Sequence, residues 1–396
     1  MKILVLSHLY PSPADPTAGT FVHEQATALT DLGHDVRIVS PKGFAPPLLK
    51  RWRRFRDVPG TAVHDGLRVL YPRKVTLPGG RLGHWNALSM RASIAGPLRR
   101  IHERWPFDAV HAHMLVPDGW AAMGAASELG VPVLATAHRA DVLDVPARGG
   151  AQREQVVEAV AGIDQVVAVS QAMRRACESL AQPRREVAVV PNGADARVFH
   201  PRDRAATRRD LDLPADERII TFVGALTPRK GIDTLIEAMG RLADETRPPL
   251  LVVAGIGELR ESLDARIAEL GIGDRVRFVG KVPHDDVALW MAAGDVFCLP
   301  SLSEGLPTVV CEAMACGRAV VATAVDGTPE IVDDGATGYL VPPTDEVALA
   351  DALRRILNDD ARRAGFEAEA LRRSQETYTW AANAAAHIPL YEAILR

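Results

Sequence analysis

Two glutamates, Glu304 and Glu312, stand eight positions apart in SEGLPTVVCEAMACG, residues 303–317, with mostly small and apolar residues between them. Carboxylates in so apolar a stretch either bind a ligand or are ordinary solvated charges at the ends of a buried helix. DVFCLPS reads as a strand and SEGLP as the loop after it. Pro307 suits a first helical turn, so Thr308 to Met314 read as helix. Eight helical steps rise roughly 12 Å at 1.5 Å per residue. That is too long for a glycosidase carboxylate pair, which needs about 5–9.5 Å, and better fits two ends of an elongated ligand. Between the carboxylates, the helix N-terminus offers free backbone N–H groups and positive dipole character, a ready phosphate site. Carboxylate, anion hole and carboxylate in a row match sugar hydroxyls, a diphosphate and ribose hydroxyls.

The elements that must position these groups repeat along the chain. KILVLS, DVRIVS, DAVHAH, PVLATAH, QVVAVS and EVAVV are strand candidates in the first half. Several are continuous apolar runs, as in parallel strands covered on both faces. Between the first two, TFVHEQATALTDLGH places Val22, Ala26, Leu29 and Leu32 on one helical face, and Gly33 suits the stop. This β-α-β arithmetic recurs. Residues 200–218, HPRDRAATRRDLDLPADER, are polar and charged and read as a linker. A second alternating series follows: RIITFVGAL, DTLIEAMGRLA, PLLVVAG, ESLDARIAEL, RVRFVG, DVFCLP, AVVATAV and YLVPP. The fold class is therefore α/β, with two doubly wound Rossmann-like domains expected to face a central cleft. Ligands of such sheets sit at the carboxyl ends of strands.

Bulk properties narrow the classes. The chain has 396 residues, 47% hydrophobic and 24% charged, enough for two soluble domains. A net charge of −4 with mixed signs gives no global nucleic-acid footprint. Cys177, Cys298, Cys311 and Cys316 form no C-x-x-C pair and no zinc-like cluster, consistent with free thiols in a reducing cytosol. MKILVLSHLYPSP is too short an apolar run for a signal peptide, and no later run approaches a membrane span. The expected location is cytoplasmic. The first strand lacks G-x-G-x-x-G, which argues against NAD. Asp210-Leu211-Asp212 has D-x-D spacing but lies in the expected linker and reads as incidental. GIGE at residues 255–258 is a weak G-x-G after a strand.

PSLSEGLPTVVCEAMACGRAVVAT followed by DGTPEIVDDGATGYLVPP resembles the E-x7-E signature of glycosyltransferase family four, whose members are retaining, nucleotide-sugar-dependent enzymes of the GT-B fold. Further segments match in order: SHLYPSPADPTAGTFVHEQATALTDLGHDV, ATAHRADV, VVPNGADARVFHP, VGALTPRKGIDTLIEA and TYTWAANAAAHIPLYEAIL. Each alone is weak, but the ordered set is specific and spans nearly the whole chain. The resemblance implies an acceptor-binding domain over 1–200, a nucleotide-sugar-binding domain over 201–375, and a terminal helix, 376–396, returning to the first domain.

The resemblance also implies roles. Glu304 is expected to bond the donor sugar's hydroxyls and Glu312 the ribose hydroxyls. Backbone amides near Gly305, Leu306, Thr308 and Val309 are expected on sugar and phosphate oxygens, and Lys230 on the diphosphate. Without the resemblance, Lys230 reads as a solvated turn lysine. The family's usual arginine is Ala225 here, and Arg229 is the candidate substitute. The usual glycine pair before Glu330 is Asp326-Gly327. His138, ending PVLATAH, is expected close to the donor sugar at the reaction centre. Asp141 is expected to orient backbone or contact acceptor. Gly19, on the donor side, and Thr20, on the acceptor side, follow the first strand. His111 and His113 are expected on opposite faces of their strand, one packed and one, His113, toward the acceptor. Asn192 and Gly193 read as a turn. No metal and no cofactor is required, because Lys230 and the helix N-terminus can hold a diphosphate.

LLKRWRRFR contains the basic stretch Lys50–Arg56, which is either a solvated loop or a peripheral contact with the inner face of a membrane. The expected partners are a nucleotide-sugar donor and a saccharide or lipid-linked acceptor, with UDP-sugars ahead of GDP-mannose. Cell-surface polysaccharide or glycolipid synthesis is the expected setting. A GT-B-fold sugar-nucleotide epimerase and a non-catalytic sugar-nucleotide binder are the other readings.

Overall fold

The computed structural model describes residues 1–44, 55–76 and 83–396. Residues 50–54 of the basic stretch lie outside this set. The chain divides into two compact units, residues 1–191 with 380–396, and residues 192–379.

Among its described residues the first unit holds ten strands: β1 (Lys2–Leu6), β2 (Asp35–Val39), β3 (Lys42–Phe44), β4 (Thr61–His64), β5 (Leu67–Leu70), β6 (Arg73–Val75), β7 (Ala109–His113), β8 (Val133–Ala137), β9 (Gln165–Ala168) and β10 (Ala188–Val189). Eight form one sheet in the order β10-β9-β8-β7-β1-β2-β5-β4, and β3 pairs with β6 separately. All pairs are parallel except β4 with β5. That hairpin turns at Asp65-Gly66, both at positive φ (46° and 82°), the backbone of a type I′ turn. The first helix spans Thr20–Asp31 and buries Val22, Ala26 and Leu29. Leu32, expected on that face, is 47% exposed because it follows the last helical turn. The closing helix, Trp380–Leu395, joins the same core through Trp380, Ala384 and Tyr391. Gln25 Nε2 donates to Asn383 Oδ1 between these two helices at 2.7 Å.

The second unit holds β11 (Ile219–Val223), β12 (Leu250–Ala254), β13 (Val276–Gly280), β14 (Val296–Leu299), β15 (Ala319–Thr323) and β16 (Gly338–Val341), all parallel, in the order β13-β12-β11-β14-β15-β16. β12, β14 and β15 are buried along their whole length, which explains their unbroken apolar sequences.

The expected linker is a correction. Arg204–Asp210 is a helix capped by Asp203, whose side chain accepts from the Ala206 N–H. Its Arg208 is buried and donates to the carbonyls of Ala293, Ala215 and Glu217 and to Asp295 Oδ2. Polar composition misled here because the charge is satisfied inside the unit.

Candidate active site

In an open parallel sheet, ligands bind where the strand order reverses. In the second unit that point lies between β11 and β14, and the candidate residues come from the loops after these two strands. After β11, Pro228–Lys230 forms a 3₁₀ turn closed by Gly231 at φ +60°. A Cβ at Gly231 would lie 2.0 Å from the Pro300 carbonyl oxygen, so only glycine lets this loop pack against the one after β14. Leu302 N–H donates to the Arg229 carbonyl across the same seam at 2.8 Å.

The side chains meet at Glu304. Lys230 Nζ lies 2.6 Å from Glu304 Oε1, and Ser301 Oγ donates to the same oxygen at 2.7 Å. Arg229 Nη1 lies 3.3 Å from Glu304 Oε2 and donates to the Ser303 carbonyl at 3.1 Å. Arg229 and Lys230 thus reach one carboxylate together, while Ala225 is exposed. Burial pushes the Glu304 carboxyl up. The Lys230 charge and hydrogen bond, the Ser301 hydroxyl and Arg229 outweigh it and hold the group below the usual carboxylate range.

Asp326 is a residue whose role was missed. It sits at φ +43°, where the family usually has glycine, a conformation aspartate tolerates. Its Oδ2 accepts from the Glu304 N–H at 2.8 Å and from Ser303 Oγ at 2.5 Å, fixing the turn that presents Glu304. The altered glycine was visible in the sequence; its use as a clasp was not.

The next helix is Thr308–Ala315, with Pro307 at its N-cap and no side-chain cap. Gly305 and Leu306 lie buried ahead of it, Thr308 and Val309 open it, and Glu312 is buried on it. Asn192, read as a simple turn, donates from Nδ2 to Thr308 Oγ1 at 3.2 Å. Behind β12, Gly257 allows its loop onto Leu226, where a Cβ would meet the carbonyl oxygen at 2.2 Å.

In the first unit the strand order reverses between β1 and β7. Gly19, at φ +68°, precedes the helix that Thr20 opens, and a Cβ there would lie 2.3 Å from the Leu9 carbonyl oxygen. His138 follows β8, partly exposed, with Phe21 at 4.8 Å between ring centroids. His113 Nδ1 lies 3.4 Å from His138 Nε2. Asp141 is fully buried and accepts from the backbone N–H of Leu115 at 2.7 Å and of His138 at 3.0 Å. Burial raises its carboxyl to about 7 against the pull of those N–H groups.

The histidine pair requires a correction. Residues two apart on a strand share a face. His111 and His113 accordingly stack, with ring centroids 4.6 Å apart. His387 of the closing helix continues the column at 5.2 Å from His111, and His138 continues it at 5.7 Å from His113. His111 lies 2.6 Å from the Tyr391 hydroxyl and 2.8 Å from Thr136 Oγ1. Burial lowers all four imidazoles, His138 and His387 to about 4, and His111 and His113 are lowered further by neighbouring rings. Among the described residues no group of three or more His, Cys, Asp or Glu side chains could hold a metal ion. Nor is any helix there long and apolar enough to cross a membrane.

Comparison with known proteins agrees with this architecture. The profile Glycosyltransferase Family 4 matches residues 18–198, and Glycosyl transferases group 1 matches residues 203–373. A Bacillus subtilis protein named for glycosyl transfer in teichuronic acid biosynthesis is 32% identical, covering 90% of this chain and 89% of its own. A D-inositol 3-phosphate glycosyltransferase of Thermobispora bispora is 33% identical over 94% of this chain and 88% of its own. Among solved structures, sucrose-phosphate synthase of Thermosynechococcus elongatus superposes with a TM-score of 0.84 at 25% identity, covering 100% of this chain and 99% of that one. The Anabaena protein HepE, solved with UDP-glucose, superposes with a TM-score of 0.75 at 21% identity, covering 99% and 100%. Two doubly wound units, profiles over both and near-full-length relatives together show that the chain belongs to the family 4, group 1 glycosyltransferases and is a glycosyltransferase of the GT-B fold.

Proposed function

We propose that this glycosyltransferase is a retaining enzyme that moves a sugar from a nucleotide diphosphate sugar to an acceptor hydroxyl. The observation that carries the reading is the Lys230–Glu304 pair, its carboxylate buried, at the β11/β14 reversal beside the uncapped head of the helix Thr308–Ala315. Glu304 bonds sugar hydroxyls and Glu312 ribose hydroxyls. Lys230, Arg229 and backbone N–H groups near Gly305, Leu306, Thr308 and Val309 hold the diphosphate and take up charge as it leaves. Cationic and backbone groups thus serve where other transferases use a metal ion.

The first unit takes the acceptor, with Thr20, His113 and Asp141 on that side and His138 and Gly19 toward the donor sugar. The attacking hydroxyl approaches the face from which the phosphate departs, and the leaving phosphate oxygen receives its proton. A UDP-sugar is the favoured donor, supported by a fold neighbour solved with UDP-glucose. Relatives named for teichuronic acid and for inositol 3-phosphate support a saccharide or polyol acceptor. The setting we assign is the cytoplasm, in cell-surface polysaccharide or glycolipid synthesis, with the basic sequence Lys50–Arg56 the candidate for a peripheral membrane contact.

The test is incubation of the full chain with UDP-glucose and with GDP-mannose, with EDTA present, reading released nucleotide and the anomeric configuration of the product by NMR. Nucleotide release with retained configuration is expected. Inverted product, or activity that EDTA abolishes, overturns the corresponding part.

A further inference from the structure

Thr308 opens the helix Thr308–Ala315, and its hydroxyl is engaged from one side only. Asn192, the first residue of the second unit, is 7% exposed and donates from Nδ2 to Thr308 Oγ1 at 3.2 Å. Three positions further along the helix, Cys311 Sγ donates to the Asn192 backbone carbonyl at 3.9 Å. Residues three apart on a helix are neighbours on its surface. Asn192 therefore lies along that face, touching it at both positions.

An amide N–H can only donate. It occupies a lone pair of the Thr308 hydroxyl and leaves that hydroxyl's own proton to point elsewhere. Threonines in helices commonly give this proton to the carbonyl four residues back. Thr27 and Thr30 do so toward His23 and Ala26 at 2.9 and 3.0 Å, and Thr207 toward Asp203 at 2.8 Å. Four residues before Thr308 is Glu304, in the loop rather than the helix, and the Thr308 hydroxyl donates to no group among the described residues. Thr308 is partly exposed while Asn192 is buried, so the spare proton belongs to the member of the pair that a ligand can reach.

That proton accompanies the N–H groups of a helix start that has no side-chain cap. A cation is repelled by such a set, and an apolar group leaves it unpaired. An oxyanion takes the hydroxyl and the N–H groups together.

We propose that Asn192 is a positioning residue for glycosyl transfer. It holds Thr308 so that the hydroxyl donates to a phosphate oxygen of the donor's diphosphate. Thr308 then acts through its side chain as well as its backbone, and Asn192 acts only through Thr308. This rests on the reading that the second unit takes a nucleotide diphosphate sugar.

The test is isothermal titration of UDP, and in parallel of inorganic pyrophosphate, into the full chain and its Asn192→Ala, Thr308→Val, Thr308→Ser and Asn192→Ala/Thr308→Val variants. Thr308→Val keeps the shape and loses the hydroxyl, and is expected to weaken both ligands about tenfold or more, the value of a hydrogen bond to a charged group. Thr308→Ser should recover most of that. Asn192→Ala is expected to weaken them about three- to tenfold alone, but less than about twofold when Thr308→Val is already present, because its effect passes through the hydroxyl. Asn192→Leu, close in shape, provides a second removal of the amide should the alanine variant not fold. An asparagine that merely supports the fold costs the same affinity with and without the hydroxyl, and that result overturns the proposal. So does a Thr308→Val protein that binds UDP like the parent. If UDP fails to bind while pyrophosphate shows the same cycle, the nucleotide reading falls and this one stands. If the parent binds neither, both fall.

Discussion

Replacing Lys230 by alanine tests the contact on which the donor site turns. The Lys230 and Glu304 side chains are 14% and 8% exposed and touch at 2.6 Å. Stranding one member of a buried ion pair costs about 3–5 kcal/mol. Here Arg229 and Ser301 stay on the carboxylate, so the expected loss is smaller, about 2–3 kcal/mol in the second unit. Turnover should fall further, about a hundred- to a thousandfold, because a donor aimed at developing phosphate charge is gone. The pH dependence changes as well. In the native protein the Glu304 carboxyl is held low, so its stabilisation is present above the unfolded value and lost as pH falls through the folded one. Without Lys230, burial becomes the dominant influence and the carboxyl protonates at higher pH. The assay is nucleotide release against pH, paired with denaturant unfolding of the same samples. The expected result is a lower kcat, an earlier unfolding midpoint and an acid limb displaced toward neutrality. A kcat within about threefold of the parent, with an unmoved acid limb, refutes the assignment.

Two further perturbations probe the scaffold. Gly231→Ala places a Cβ 2.0 Å from the Pro300 carbonyl oxygen at φ +60°. It should cost at least about 2 kcal/mol and lower UDP affinity, read by denaturation and titration; unchanged affinity would show that the loop seam does not position Glu304. His387 is fully buried with its imidazole lowered to about 4 from 6.5. The unfolded chain therefore takes up the proton first, and stability is lost as pH falls between those values. Between about pH 7.5 and pH 5 this amounts to about 2 kcal/mol. His387→Phe should remove that share of the acid loss in urea unfolding, and an identical slope in parent and variant would contradict the burial argument.

The parallel sheets were legible because buried strands need unbroken apolar runs, and AVVAT and LLVVA meet no competing demand. What was missed depended on partners distant in sequence. Arg208 looks solvated in RAATRRD, yet its charge is met by Asp295, 87 positions away. Lys42 and Lys74 sit in three-residue strands whose sequences carry no sign of burial. The β4–β5 hairpin has its signal in Asp65-Gly66 between alternating residues, a short pattern overshadowed by the unbroken apolar runs of the parallel strands. At the site, Glu304, Lys230 and Glu312 were found through the ordered motif set. Asp326 entered only as an irregularity, since nothing local announces that its carboxylate holds the Glu304 N–H.

The charge balance at the candidate site of the second unit bears on how it meets a ligand. At that site Lys230 and Glu304 cancel, with the more exposed Arg229 and Asp326 bracketing the same loop. That cluster is satisfied by itself, so its geometry is set before a diphosphate arrives, as electrostatic preorganisation requires. A binding phosphate must then share Lys230 with Glu304, which ties the position of the sugar carboxylate contact to that of the leaving group.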